Sequence, residues 1–390
     1  MLFRSAATAL ETHVYASTIG PIPANSKVTY MVGAGTRGYT PQYTIKMVPG
    51  PTDPIRFIGY SDIGVDSTGP DGQKKPGATT FPAFEIRELG LKQDPQLVLI
   101  SGDLAYNNAR EGGWDAFMRF MEPVQSKIPT MPVIGNHEWD PTLGYAQFHN
   151  EYVLPNNEHD FVFKAGPITF IGLNSDRVCG NSGRSQYGSP PHPCDDGKDG
   201  KPNQESLDFI RKAAADAQTD DTAWTIAYFH HPPFSHGRHG NDWGVQALWV
   251  PLFEELGVDL VLTAHDHLYS RSFPILDLKP VVIGTNEYEK GNGVVYVVSG
   301  GGGRGLYDIT KDAPPPWHAK GEKVHHLYKI EADNSTLKYT AIRVDGSELD
   351  SFTIASKPMP APDSDPGVLP VDAFVPLLAA LVAVFLVRRR

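Results

Sequence analysis

"LVLISGDLAY", residues 97–106, is an aliphatic run that stops abruptly at Asp103, with Tyr106 three residues further on. A short continuous apolar run bounded by Gly and Asp reads as a buried strand, and the end of this one presents two groups able to hold a metal. Four other stretches repeat the pattern. "IRFIGYSDIG" ends near Asp62, "MPVIGNHEW" in Asn136 and His137, "WTIAYFHHPPF" in His230 and His231, and "VDLVLTAHDH" in His265 and His267. Between them lie amphipathic stretches of helical spacing, "WDAFMRFMEPVQSK" and "QESLDFIRKAAADAQ". Strands alternating with helices imply an α/β fold, and such sheets gather ligands at the carboxyl ends of their strands. A lone Gly-Asp pair is an ordinary turn and a lone His an ordinary structural residue. Here every strand end carries an oxygen or imidazole donor, a mixture that suits Zn, Mn or Fe rather than a soft thiolate site.

The rest of the composition narrows the function classes. With 34 basic against 45 acidic residues and a formal net charge of −11, the 390-residue chain offers no basic patch for a phosphate backbone, so no nucleic-acid partner is expected by charge. Its 38 Gly and 34 Pro fit many short elements joined by structured loops rather than a helical bundle. The two cysteines, Cys179 and Cys194, flank one Gly/Ser/Pro-rich stretch. In an oxidising compartment they would pair as a disulfide; in a reducing one they stay free thiols.

The blocks "SDIG", "GDLAY", "GNHE", "AYFH" and "AHDH", in that order, resemble the metallophosphoesterase (calcineurin-like phosphoesterase) superfamily and within it the purple acid phosphatases. The resemblance continues through "WDAF", "VVSGGGGRGL" and "TLKYTAIRVDGSELDSFTI", and covers nearly all of residues 54–357. It implies a four-layer αββα metallophosphoesterase sandwich. It also implies an Fe3+ site formed by Asp62, Asp103, Tyr106 and His267. A second site for Zn2+, Mn2+ or Fe2+ would be formed by Asp103, Asn136, His230 and His265, with Asp103 bridging. The wider superfamily has a ligand His at the third position of the first block, where this chain has Gly64, and Tyr106 fills the vacancy. A phenolate is a hard anionic ligand that only a bound cation keeps deprotonated near neutral pH, which favours a trivalent ion and a purple charge-transfer colour.

The same resemblance implies a dinuclear acid phosphatase that hydrolyses small phosphate monoesters by attack of a metal-bound hydroxide. His137, His236 and His239 are the expected catalytic histidines, and Asn136, His137 and His236 the expected substrate contacts. Below pH 7 the loop histidines would be charged and favour a phosphate dianion. His231 reads as a loop residue or a contact behind the ligands, and Asp266 as pointing away from the metals. Ser61 and Ala264 stand where the family has Gly. The rival readings are a phosphodiesterase or nucleotidase with the same dimetal site, and a non-catalytic surface binding protein whose enzyme domain has decayed.

The two ends of the chain suggest further parts. Residues 1–50 carry short alternating strands, "THVYASTI", "KVTYMVGAG" and "YTIKMV", too few to close a sandwich. They resemble the second half of a fibronectin-like domain, which implies an N-terminally truncated β-sandwich and a signal peptide further upstream. Residues 358–371 form a Pro-rich linker. Residues 372–390 hold the apolar run Ala373 to Val387 closed by Arg388, Arg389 and Arg390, shorter than the ~20 residues of a relaxed membrane span. An Arg cluster after an apolar run resembles a prokaryotic sorting tail, which implies an extracellular or cell-surface protein attached to the membrane or cell envelope. A buried core helix is the other reading of that run.

Overall fold

The computed structural model describes residues 12–33, 38–65, 82–106, 111–140, 142–156, 158–178, 204–218, 222–356 and 381–388. Cys179, Cys194 and the linker 358–371 lie outside these residues. The first strands are β1 Thr12–Ile19, β2 Lys27–Tyr30, β3 Tyr43–Lys46, β4 Ile55–Gly59, β5 Leu97–Ile100 and β6 Thr130–Pro132. They are followed by β7 Phe161–Ala165, β8 Ile168–Gly172, β9 Trp224–Tyr228, β10 Leu260–Thr263 and β11 Tyr269–Ser272. After the two-residue β12 Ile275–Leu276 and β13 Lys279–Pro280 come β14 Glu287–Glu289, β15 Val295–Ser299 and β16 His318–Glu322. The last are β17 His326–Ala332, β18 Thr336–Arg343, β19 Glu348–Ala355 and β20 Leu381–Arg388. The helices are α1 Pro82–Lys92, α2 Glu111–Gln125, α3 Ala146–Glu151, α4 Gln204–Gln218 and α5 Trp243–Glu255.

Two mixed seven-stranded sheets carry the fold, in the orders β14-β19-β18-β17-β4-β5-β6 and β16-β11-β15-β10-β9-β8-β7. Alternation along β4 shows why they face each other. Phe57 is fully buried and meets Phe170 of β8 edge-on, with ring centroids 5.2 Å apart, whereas Ile58 turns the other way toward Gly90 of α1. On the far side of the second sheet, Ile171, Ala227, Val261 and Tyr296 pack with Ile210 of α4 and Trp249 and Phe253 of α5. Helices thus cover the outer faces, giving four layers. A buried polar clamp also joins the sheets: Arg271 of β11 donates from Nε to Asp350 Oδ2 of β19 at 2.7 Å, and Tyr269 Oη donates to the same oxygen at 2.8 Å.

At the two ends of the chain the described residues form small two-stranded pairings. β2 and β3 pair as a hairpin that rests on α2, with Tyr30 Oη donating to the Ser126 carbonyl and Tyr43 Oη to Glu122, both at 2.8 Å. Among the described residues no fibronectin-like sandwich forms around it. The apolar C-terminal segment, expected as an anchor or sorting tail, is laid antiparallel as β20 against β1, Thr12 opposite Arg388 and Ile19 opposite Leu381. Among the described residues no helix is long and apolar enough to cross a membrane.

Because Phe57 fills the gap between the sheets, Phe57→Ala is expected to lower stability by about 3–5 kcal/mol, read from denaturant unfolding.

Candidate metal centre

β4, β5 and β6 are adjacent and parallel in the first sheet, and β9 and β10 are adjacent and parallel in the second. Their carboxyl ends meet. There Asp62, Asp103 and His267 bring ligating atoms within 4.8 Å of one another, and so do His230, His231 and His265. Tyr106 Oη lies 2.8 Å from His267 Nε2 and donates to Asp62 Oδ1 at 3.1 Å. His230 Nε2 lies 3.1 Å from Asn136 Oδ1, 3.2 Å from His265 Nδ1 and 3.3 Å from Asp103 Oδ1. All seven expected ligands therefore converge, with Asp103 between the two groups.

The backbone is bent to achieve this. Asp62, Asp103, Tyr106 and His265 all have left-handed φ, between 53° and 69°, a region that costs a non-glycine residue about 1–3 kcal/mol. Glu138 braces the bend at Asp103. Its Oε2 accepts from the backbone N–H of Asp103 and of Gly135, both at 2.8 Å, and its Oε1 from Leu104 N–H at 2.9 Å. Ser61 and Ala264, where glycine was expected, lie outside the left-handed region, and the Ser61 hydroxyl instead donates to the Ser299 carbonyl at 2.9 Å.

Imidazole tautomers follow from the carbonyls behind them. His230 Nδ1 faces the Ser101 carbonyl at 2.8 Å and His267 Nδ1 the Gly305 carbonyl at 2.7 Å. Each Nδ1 must donate, so Nε2 is left pointing at the other donors. Burial opposes charge on both rings, but Asp103 pushes His230 up to about 10 and Asp62 raises His267. Burial likewise works against the Asp103 carboxylate, yet His230 and His137 hold it well below the ordinary range. Burial, with Asp62 and Asp103 adding to it, drives the Tyr106 phenol well above its usual value. The donor set thus fits cations: a metal would replace the protons on His230 and Tyr106 and neutralise the carboxylates.

A family model described as calcineurin-like phosphoesterase matches residues 55–269, the segment that contains every one of these donors. The chain belongs to that family. An uncharacterized protein of Mycobacterium tuberculosis is 27% identical over 302 residues, 70% of this chain and 55% of its own length. A probable inactive purple acid phosphatase of Arabidopsis thaliana is 24% identical over 383 residues, 88% of this chain and 58% of its own. This calcineurin-like phosphoesterase thus spans little more than half the length of those two relatives. A nucleotide pyrophosphatase/phosphodiesterase of Hordeum vulgare is 26% identical over 340 residues, 78% of this chain and 84% of its own. Among solved structures, a purple acid phosphatase from yellow lupin (Lupinus luteus) seeds superposes with a TM-score of 0.71 at 21% identity, covering 88% of this chain and 67% of that one. The family is dimetal-dependent, and the described residues hold its candidate metal-binding groups.

The expected histidines of this phosphoesterase divide. His137 donates its backbone N–H to Asp103 Oδ1 at 3.0 Å, and its ring lies 4.4 Å from that of Tyr106. His239 lies 4.3 Å from the His265 ring, but burial, with His267, His231 and Arg238 adding to it, pushes it down to about 4. It is neutral rather than charged in mildly acidic solution, contrary to the sequence reading. His236 does not join them. Its ring is buried against His318 at 4.8 Å, and among the described residues neither ring nitrogen has a hydrogen-bond partner. Asp266 explains the split: it points away from the metal donors, as expected, and accepts from Ser235 Oγ and, at 2.9 Å, from His239 N–H, fixing the loop's register.

Sequence reading missed four contributors. They are Glu138, Ser175, whose Oγ lies 3.0 Å from His231 Nδ1, Tyr307, stacked 4.1 Å from His267, and Arg304, 4.5 Å from the centre of the Tyr106 ring. The signals were the E of "GNHE", the polar "NSD" after β8 and the R and Y of "GGRGLY".

Glu138→Ala orphans three buried N–H groups at ~1–3 kcal/mol each, so a loss of at least ~3 kcal/mol is expected in thermal unfolding, together with reduced metal content. Since His230 is protonated until about pH 10, metal loading near pH 7 is expected to release protons. Affinity should then rise about tenfold per pH unit for each proton displaced, measured by metal titration in weak buffer.

Proposed function

We propose that this chain is a dinuclear-metal acid phosphatase hydrolysing phosphate monoesters. The observation that carries the reading is the position of Asp103, which shares one cluster with Asp62 and His267 while its Oδ1 lies 3.3 Å from His230 Nε2 of the other. Asp62, Asp103, Tyr106 and His267 would hold Fe3+, and Asp103, Asn136, His230 and His265 would hold Zn2+, Mn2+ or Fe2+. When bound, such a pair supplies positive charge for the phosphoryl oxygens and acidifies a coordinated water. The chain's own part is positioning and proton transfer. Asn136 and His137 follow β6 on one short turn, Asn136–Glu138, and that turn is locked by Glu138, so the amide and the imidazole are presented together. His137, with its side chain about a third exposed, would orient the ester and return a proton to the leaving alcohol. His239, neutral beside His265, would accept or relay a proton rather than bind the dianion by charge.

The barley relative supports a second reading, hydrolysis of phosphodiesters and pyrophosphates at the same centre. Two measurements separate the possibilities. Iron-reconstituted protein is expected to show a broad visible band that Tyr106→Phe abolishes, and a full metal load with no band would remove the tyrosinate assignment. Turnover of p-nitrophenyl phosphate at acidic pH is expected to exceed that of bis(p-nitrophenyl) phosphate by at least ~tenfold in kcat/KM, and the reverse order would favour the diesterase. His137→Ala should lower kcat by roughly 10²–10⁴-fold for poor leaving groups.

A further inference from the structure

One segment lies against the metal centre and is rooted on a pair of histidines that the chemistry above leaves unused. Residues 304–317, between β15 and β16, form no helix or strand, and none of them is buried. Backbone bonds tie this strap down. Tyr307 N–H donates to the His267 carbonyl at 2.9 Å and Thr310 N–H to the His236 carbonyl at 3.1 Å. The strap serves His267 twice more, because Tyr307 stacks on its ring at 4.1 Å and the Gly305 carbonyl faces its Nδ1 at 2.7 Å. At the far root His318 opens β16, and its ring meets that of His236 at 4.8 Å. Gly321 makes room for the pair, since a Cβ there would come within 2.7 Å of His318 Cε1. His236 is 6% exposed, and among the described residues neither of its ring nitrogens has a hydrogen-bond partner. His318 Nδ1 lies 3.5 Å from Ser270 Oγ.

Two imidazoles packed this way tolerate neutral rings and oppose a charged one. Among the described residues no carboxylate pairs with either ring. The charges around them are engaged elsewhere or cationic. Arg271 of β11 bears on His318 and is bound by Asp350 of β19, while Asp308 of the strap pairs with Lys323 at 2.7 Å and Glu322 of β16 with Arg343 at 2.8 Å. Lys320 stands opposite Arg271 in the register of β11 and β16. On the other side, Asp266 accepts from Ser235 Oγ and His239 N–H, so the loop carrying His236 is held and the strap is the part that can yield. We infer that His236 and His318 form an acid-responsive latch: a proton taken up by the pair releases the strap and withdraws Tyr307 and the Gly305 carbonyl from His267. Burial, with His236 and Arg271 adding to it, pushes His318 down to about 4. A histidine depressed in the closed state favours closure above about pH 6.5 and loses that preference as pH falls toward about 4. This control of access goes beyond the reaction proposed above and does not depend on which ester the centre cleaves.

The test is hydrogen exchange of the metal-reconstituted full chain, followed in peptides covering Tyr307 and Thr310 from about pH 7 to about pH 5 and corrected for the intrinsic pH dependence of exchange. In wild type, strap protection is expected to fall by up to about tenfold per pH unit below about pH 6.5, while the buried strand β15 keeps its protection. His318→Phe fills similar space without titrating. It is expected to hold strap protection level across the same range. A wild-type strap whose protection ignores acid overturns the latch, as does an equal fall in His318→Phe or a fall shared by β15. If Phe does not fold at this position, His318→Gln carries the test, because residue 318 is only half-buried. Exchange needs no substrate, so a protein that turns over no ester still decides the latch, and a strap indifferent to acid leaves the phosphatase reading standing.

Discussion

The arrangement depends on one carboxylate. Asp103 sits just past β5, which is parallel to both its neighbours, in a left-handed backbone conformation with φ of 53°, and its side chain faces donors from both sheets. Little of the surrounding structure is free to change without moving it. Glu138 ties its N–H, and the His137 N–H binds its Oδ1. Beneath them, Gly135 approaches so closely that a side chain there would collide with Asp103 itself. Such a bend is unfavourable locally and persists because rigid neighbours on every side over-determine it.

The sheets are also locked to each other around this point. His230, at the end of β9, donates to the Ser101 carbonyl just past β5, and Ser61, past β4, donates to Ser299 at the end of β15. The second sheet's imidazoles and the first sheet's carboxylates are thereby held in one frame. Electrostatics follow from that frame: with the carboxylates packed among imidazoles, His230 is raised while His265, buried and ringed by His231, His230 and His239, falls well below its ordinary value. Two histidines on adjacent strands thus hold opposite protonation preferences, set by which of them Asp103 faces more closely.

Much of this was legible in the sequence because local periodicity and strand-end chemistry coincide. The stretch "QESLDFIRKAAADAQ" is α4 to the residue, and each of the five aliphatic runs is a strand followed by its donor. What was not legible depends on long-range contact. Arg304 and Tyr307 sit in a glycine-rich loop that reads as a turn, and only the path of β15 brings them to Tyr106 and His267. His236 and His239 are three residues apart in one loop, and nothing local chooses between them; Asp266, thirty or so residues on, makes the choice. The pairing of β1 with β20 joins the two ends of the chain, and its partner strands carry no signal of each other.

The order of strands has a consequence for how the chain is made. β17, which lies beside β4 in the first sheet, belongs to a stretch near the C-terminal end of the domain, and Arg56 meets its partner Glu331 275 residues along. A ribosome adding ~5–20 residues per second leaves β4 without this neighbour for about 14–55 s. Throughout that interval an aliphatic strand edge is open to other chains. Strands β17, β18 and β19 therefore complete the sheet last, and assembly of the metal-binding loops waits on a segment that supplies none of their donors.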